Sequence, residues 1–124
     1  MSAPVRVAII EDNDVFREAL EMLLGLQPGL EVVASAPDGD AAATLCREHS
    51  PAVLLMDYRL PGMDGVQATR LLLEACPEVA VVGLTASANQ SEVEALLAAG
   101  AVACLTKDEP LEDIVAAIHR AAAQ

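Results

Sequence analysis

Aromatic side chains are nearly missing from this 124-residue chain: there is no tryptophan, and Phe16 and Tyr58 are the only rings. The interior must therefore be built from aliphatic and small side chains, and 24 alanines supply much of it. Basic residues are also scarce. Seven Lys and Arg stand against nineteen Asp and Glu, and the formal charge of −12 repels a phosphate backbone or an anionic membrane surface. That excludes direct nucleic-acid binding by this domain. Cys46, Cys76 and Cys104 are odd in number and lie about thirty residues apart, which fits neither a disulfide framework nor paired zinc ligands. Each reads as a small buried hydrophobe in a reducing compartment. No apolar run approaches the roughly 18 to 20 residues that span a bilayer, and the N-terminus turns acidic at Glu11 without a leader pattern. The expectation is a cytoplasmic protein with no membrane partner. With 54% apolar residues disorder is excluded, and in the absence of any linker residues 1–124 read as one domain.

Five short aliphatic runs alternate with helical-period segments: Val5 to Ile10, Leu30 to Ala34, Val53 to Met56, Val79 to Leu84 and Val102 to Leu105. Phe16, Leu20, Leu23 and Leu24 share one face of the first helical segment, and Leu111, Ile114, Val115 and Ile118 share one face of the last. Turn residues fall between the runs, at Pro28-Gly29, Pro37-Asp38-Gly39, Pro51, Pro61-Gly62, Pro77 and Gly100, and Asp64 and Ser91 are candidate helix starts. Repeated βα units form a parallel sheet with right-handed crossovers. The second run carries Glu31 and suits an edge, whereas the third and fourth are uncharged and suit the interior. A doubly wound α/β fold with strand order 2-1-3-4-5 satisfies this and puts a ligand crevice between strands 1 and 3.

The carboxyl ends of the strands carry the chemistry. Strand 1 runs into Glu11-Asp12, strand 3 into Asp57, strand 4 into Thr85 and strand 5 into Lys107. Carboxylates some 4 Å apart repel by about 4 kcal/mol per pair at an effective dielectric of 20, so something positive must offset them. Mg²⁺ with oxygen ligands is the natural candidate, and Lys107 adds a fixed charge. A carboxylate beside Mg²⁺ and an ammonium can accept a phosphoryl group. Asp57 ends a buried strand and is the candidate nucleophile. Glu11 and Asp12 would hold the metal with Asp57, the Arg59 carbonyl could complete the shell, and Lys107 and Thr85 would contact the phosphoryl oxygens.

These residues resemble the receiver domain of two-component response regulators. The likeness is carried by Ile9-Ile10-Glu11-Asp12-Asn13, by Leu55-Met56-Asp57 through Leu60-Pro61-Gly62-Met63-Asp64-Gly65, by Leu84-Thr85-Ala86, and by Gly100-Ala101 through Leu105-Thr106-Lys107-Asp108. It implies a flavodoxin-like (βα)5 sandwich, a phosphoacceptor at Asp57, a sensor histidine kinase as partner and a switching rather than an enzymatic role. Lys107-Asp108 and residues 28–34 look like the NarL/FixJ type, whose members usually carry a LuxR-type DNA-binding domain after the receiver. DNA would then be reached only through a further C-terminal domain. Ending at Gln124 leaves open a stand-alone receiver acting by protein contact, and favours a receiver cut from a longer regulator.

Two departures stand out. Lys107 is followed by Asp108 where many receivers have Pro, and the family's switch aromatic aligns with Cys104. A Thr–aromatic switch is therefore not expected. Asn13, Asp14 and Asp64 read as helix caps, His49 and His119 as surface residues, and Gly62 and Gly65 as turn glycines rather than a phosphate loop. Leu71-Leu72-Leu73 reads as core with a partner-facing margin, while Leu96-Leu97 and Ile114 to Ile118 are candidates for a homodimer surface. A Mg²⁺-dependent phosphohydrolase is the competing enzyme reading. The dehalogenase type would need a second acid where Arg59 stands, and a flavin module would be repelled by Glu11-Asp12-Asn13-Asp14.

Overall fold

The computed structural model describes residues 3–87 and 89–124. Strands β1 (Val5–Ile10), β2 (Leu30–Ala36), β3 (Val53–Asp57), β4 (Ala80–Thr85) and β5 (Ala103–Thr106) alternate with helices α1 (Asp14–Gly25), α2 (Ala42–His49), α3 (Gly65–Ala75), α4 (Gln90–Ala98) and α5 (Leu111–Ala122). All strand pairs are parallel, in the order β2-β1-β3-β4-β5. This is the flavodoxin-like arrangement expected from the runs. Among the described residues, no helix is long and apolar enough to cross a membrane.

Strand alternation makes two cores. Val7, Ile9, Val53, Leu55, Val82 and Leu84 face α1 and α5, where they meet Leu20, Leu24, Ile114 and Ile118. Ala8, Ile10, Leu54, Met56 and Val81 face α2, α3 and α4, where they meet Cys46, Leu72 and Leu96. Burying aliphatic side chains of this size contributes about 1.5–3 kcal/mol each, so small residues suffice where the layers approach closely. The two faces also explain why β3 is apolar throughout: every one of its residues is buried.

Several helix expectations are corrected. Helix α4 is capped by Asn89, whose side chain accepts from the Ser91 and Glu92 N–H groups, so Ser91 lies inside the first turn. Asn13 caps α1 through the Phe16 N–H, whereas Asp14 is the first helical residue and pairs with Arg17. Asp64 does cap α3. A short 3₁₀ turn, Gly39–Ala41, precedes α2 and is capped by Asp38. Leu23 is 37% exposed, because the α1 face toward the sheet is narrow and Leu20 and Leu24 fill it. Leu96, Ile114 and Ile118 are buried in the two cores, so they cannot form a dimer surface; Leu97 and Leu71 point outward. Cys46 and Cys76 are buried in the same core, and Cys104 is only half-buried. His119 is exposed and His49 half-buried. The edge strand β2 carries an irregularity at Val33, where the register with β1 shifts by one residue. Irregularities of this kind discourage pairing of an exposed sheet edge with another chain.

Candidate functional site

Asp57 is the last residue of β3, opposite Leu84 of β4, and is 2% exposed. The chain leaving it is tightly held. The Tyr58 N–H donates to the Leu84 carbonyl at 3.0 Å, and the Gly65 N–H donates to the Tyr58 carbonyl at 2.7 Å. Gly65 allows α3 to start against the strand end, since a Cβ there would lie 2.2 Å from the Asp57 carbonyl oxygen and 2.9 Å from Tyr58 Cα. Gly62 takes a positive φ of 82° in the intervening loop, as a turn glycine should.

Beside Asp57, β1 delivers Glu11 fully buried and Asp12 exposed. One oxygen from each of Glu11, Asp12 and Asp57 lies within 4.8 Å of the others. Glu11 is fixed by its backbone N–H on the Ala36 carbonyl and by its Oε2, which accepts from the Asn13 N–H at 2.9 Å. Lys107, placed by a 2.8 Å bond from its N–H to the Thr85 carbonyl, sets its Nζ 2.7 Å from Glu11 and 3.2 Å from Asp57. The Phe16 ring centroid lies 5.1 Å from the same ammonium.

The electrostatics follow from this crowding. Burial, then the hydrogen bond and charge of Glu11, push the Asp57 carboxyl up to about 7, with the Lys107 charge opposing them. Burial works against the Lys107 ammonium, but its contacts with Glu11 and Asp57 outweigh that and hold it above its ordinary value. Glu11 Oε1 and Asp57 Oδ2 are buried without a well-directed hydrogen bond, although both lie beside the ammonium. Lys107 thus offsets them by charge and leaves their acceptor capacity free. Hard oxygen donors clustered this closely, with spare lone pairs on two buried atoms, fit a Mg²⁺ ion.

The remaining expected residues are distributed differently. Thr85 is buried at the end of β4, and its hydroxyl donates to the Ser87 carbonyl at 2.6 Å. The Arg59 N–H reaches Asp57 Oδ1 at 3.4 Å, while the Arg59 side chain runs to Glu92 of α4, with Nη2 2.9 Å from the carboxylate. Glu92 is 7% exposed, and no motif pointed to it. Its signal in the sequence is an acid on the same helical face as Leu96, four residues before it. Cys104 pairs in register with Gly83, and a Cβ on Gly83 would lie 2.7 Å from Leu96 Cδ1 and 3.3 Å from Cys104 Sγ. Leu96 and the Cys104 thiol therefore pack directly against Gly83.

The sequence matches the response regulator receiver domain family over residues 7–119. This chain belongs to that family. It is 38% identical over 115 residues to the response regulator GacA of Pseudomonas protegens, covering 93% of this chain and 54% of GacA. It is 35% identical over 114 residues to the transcriptional regulatory protein DegU of Brevibacillus brevis, covering 92% of this chain and 48% of DegU. The chain thus spans about half the length of these curated relatives. Among solved structures, the signal receiver domain of NarL from Mycobacterium tuberculosis superposes with a TM-score of 0.91 at 35% identity, covering 98% of both chains. A LuxR-family two-component response regulator from Aurantimonas also gives 0.91, at 30% identity, covering 98% of this chain and 86% of the other. The NarL/LuxR likeness read from Lys107-Asp108 and residues 28–34 agrees with these relatives.

Proposed function

We propose that this chain accepts a phosphoryl group on Asp57 from a sensor histidine kinase, with Mg²⁺ bound by Glu11, Asp12, Asp57 and the Arg59 carbonyl, and thereby controls an output. The observation that carries this is the convergence of three carboxylates within 4.8 Å, with the Lys107 ammonium 2.7 and 3.2 Å from two of them. When bound, Mg²⁺ would neutralise the acids and a phosphoryl oxygen. An Asp57 carboxylate oxygen forms the new bond to phosphorus as the bond from phosphorus to the kinase imidazole nitrogen breaks. The electron pair leaves on that nitrogen, which takes up a proton when the imidazole requires it. Lys107 holds charge developing on the phosphoryl oxygens, and the Thr85 hydroxyl exchanges its Ser87 partner for one of them. Burial of Asp57 keeps bulk water from the acceptor oxygen.

The output we propose is transcription, through a LuxR-type domain beyond this sequence, because GacA and DegU are named regulators of which this chain matches about half. At −12 the domain is unsuited to hold DNA itself, and its likeness to named regulators supports a switching role over turnover of a phosphate ester. Incubation with acetyl phosphate and Mg²⁺, followed by intact mass, should add one phosphate to the wild type and none to Asp57→Asn. Equal labelling of the two would refute Asp57 as acceptor, and sustained hydrolysis of a phosphate ester would support the enzyme reading instead.

A further inference from the structure

Glu92 is a buried acid that the phosphoacceptor chemistry does not use. It is held by one cation, Arg59, whose own side chain is 75% exposed and is therefore free to move. Arg59 begins only two residues after Asp57, and its N–H already faces Asp57 Oδ1 at 3.4 Å. Cys104 of β5 is half-buried. Burial raises that thiol to about 11, and the charges of Glu109 and then Glu92 add to the effect. The Arg59–Glu92 pair thus joins the phosphoacceptor loop to α4.

Building on the phosphoacceptor reading, we propose that the Arg59–Glu92 ion pair is a latch holding α4 against the loop after β3, and that a phosphoryl group on Asp57 opens it by taking the Arg59 guanidinium. Converting the Asp57 carboxylate to an acyl phosphate adds about one negative charge and three acceptor oxygens at that place. A guanidinium is always charged, and its planar fork can take phosphate oxygens two at a time, whereas its contact with Glu92 is a single one through Nη2 at 2.9 Å. The transfer leaves Glu92 buried without a cation, an arrangement that a shift of α4 relieves by bringing the acid to water. The motion of α4 then needs no rotating ring at position 104. Cys104 and Leu96 pack beside Gly83.

Hydrogen exchange of the α4 amides, residues 90–99, read together with intact mass, tests this. In the wild type, acetyl phosphate with Mg²⁺ should add one phosphate and speed α4 exchange by about fivefold, the scale of one partly exposed ion pair. Glu92→Ala should show the faster exchange before phosphate is added and gain little afterwards. Arg59→Ala, a change at an exposed side chain outside α4, should show the same raised basal exchange with every α4 side chain intact. Wild-type-like exchange in unphosphorylated Glu92→Ala and Arg59→Ala, or an undiminished response in phosphorylated Glu92→Ala, would overturn the latch alone. Failure of the wild type to gain mass would overturn the phosphoacceptor reading and the latch's trigger with it.

Discussion

Replacing Asp57 by Asn should make the metal-free protein more stable at neutral pH. At 4.8 Å and an effective dielectric of 20, each repulsion of Asp57 with Glu11 and with Asp12 amounts to about 3.5 kcal/mol. Lys107 at 3.2 Å returns about 5 kcal/mol on the same scale, leaving the charge on Asp57 unfavourable by about 2 kcal/mol. The displacement of the Asp57 carboxyl from 3.8 to about 7 gives an upper limit of about 4 kcal/mol. Asp57→Asn in EDTA at pH 7.5 should therefore melt about 6–12 °C above the wild type by circular dichroism, taking about 3–6 °C per kcal/mol for a chain of this length. The pH dependence has a definite sign. Between 3.8 and about 7 the folded wild type holds more protons at this position than the unfolded chain, so its stability falls as pH rises through that window. The gap between the two proteins should be small below pH 3.8 and full above about 7. Added Mg²⁺ should narrow it by stabilising the wild type more. A variant that melts at or below the wild type in EDTA, or a gap indifferent to pH, would refute the electrostatic account.

Lys107→Met should do the opposite, lowering metal-free stability by about 3–5 kcal/mol, because it strands the buried Glu11 and Asp57 without their cation. Urea midpoints would show it, and combining the change with Asp57→Asn should recover part of the loss. Gly65→Ala should cost about 3 kcal/mol or more and slow phosphate uptake, since the new methyl meets backbone atoms of Asp57 and Tyr58 that cannot rotate away. Unchanged melting and labelling in that variant would show that the start of α3 is looser than the 2.2 Å approach implies.

The strand order was legible because charge and apolarity sort the runs: Glu31 marks an edge, and the uninterrupted Val53 to Met56 marks an interior strand covered on both faces. The rim was legible for a related reason. A carboxylate that ends an apolar run has its location fixed by the strand, so Glu11, Asp57, Thr85 and Lys107 could be placed before any coordinate was known. Helix details were not legible to the same degree. Ser91 and Asn89 are both good capping types two residues apart, and only backbone geometry chooses the amide at 89. Leu23 and Ile114 both obey helical periodicity, yet the first is exposed and the second buried, because the width of each buried stripe depends on how the helix lies on the sheet. The Arg59–Glu92 pair is separated by 33 residues and belongs to no local pattern, so only the fold brings it together.

One feature of the interior underlies both the proposed metal binding and the proposed switch. Glu11, Asp57 and Glu92 are all buried acids, and each has been given a cation: Lys107 for the first two, Arg59 for the third. The Lys107 ammonium is 21% exposed and touches two carboxylates, so moving it would strand both. Arg59 has one partner and lies mostly in water, so exchanging that partner requires little reorganisation. On the proposed reading, a phosphoryl group at Asp57 would act on the mobile cation first, while the fixed one would stay to hold it. On the proposed latch, Lys107 is the cation that stays and Arg59 the one that leaves, and α4 follows Arg59.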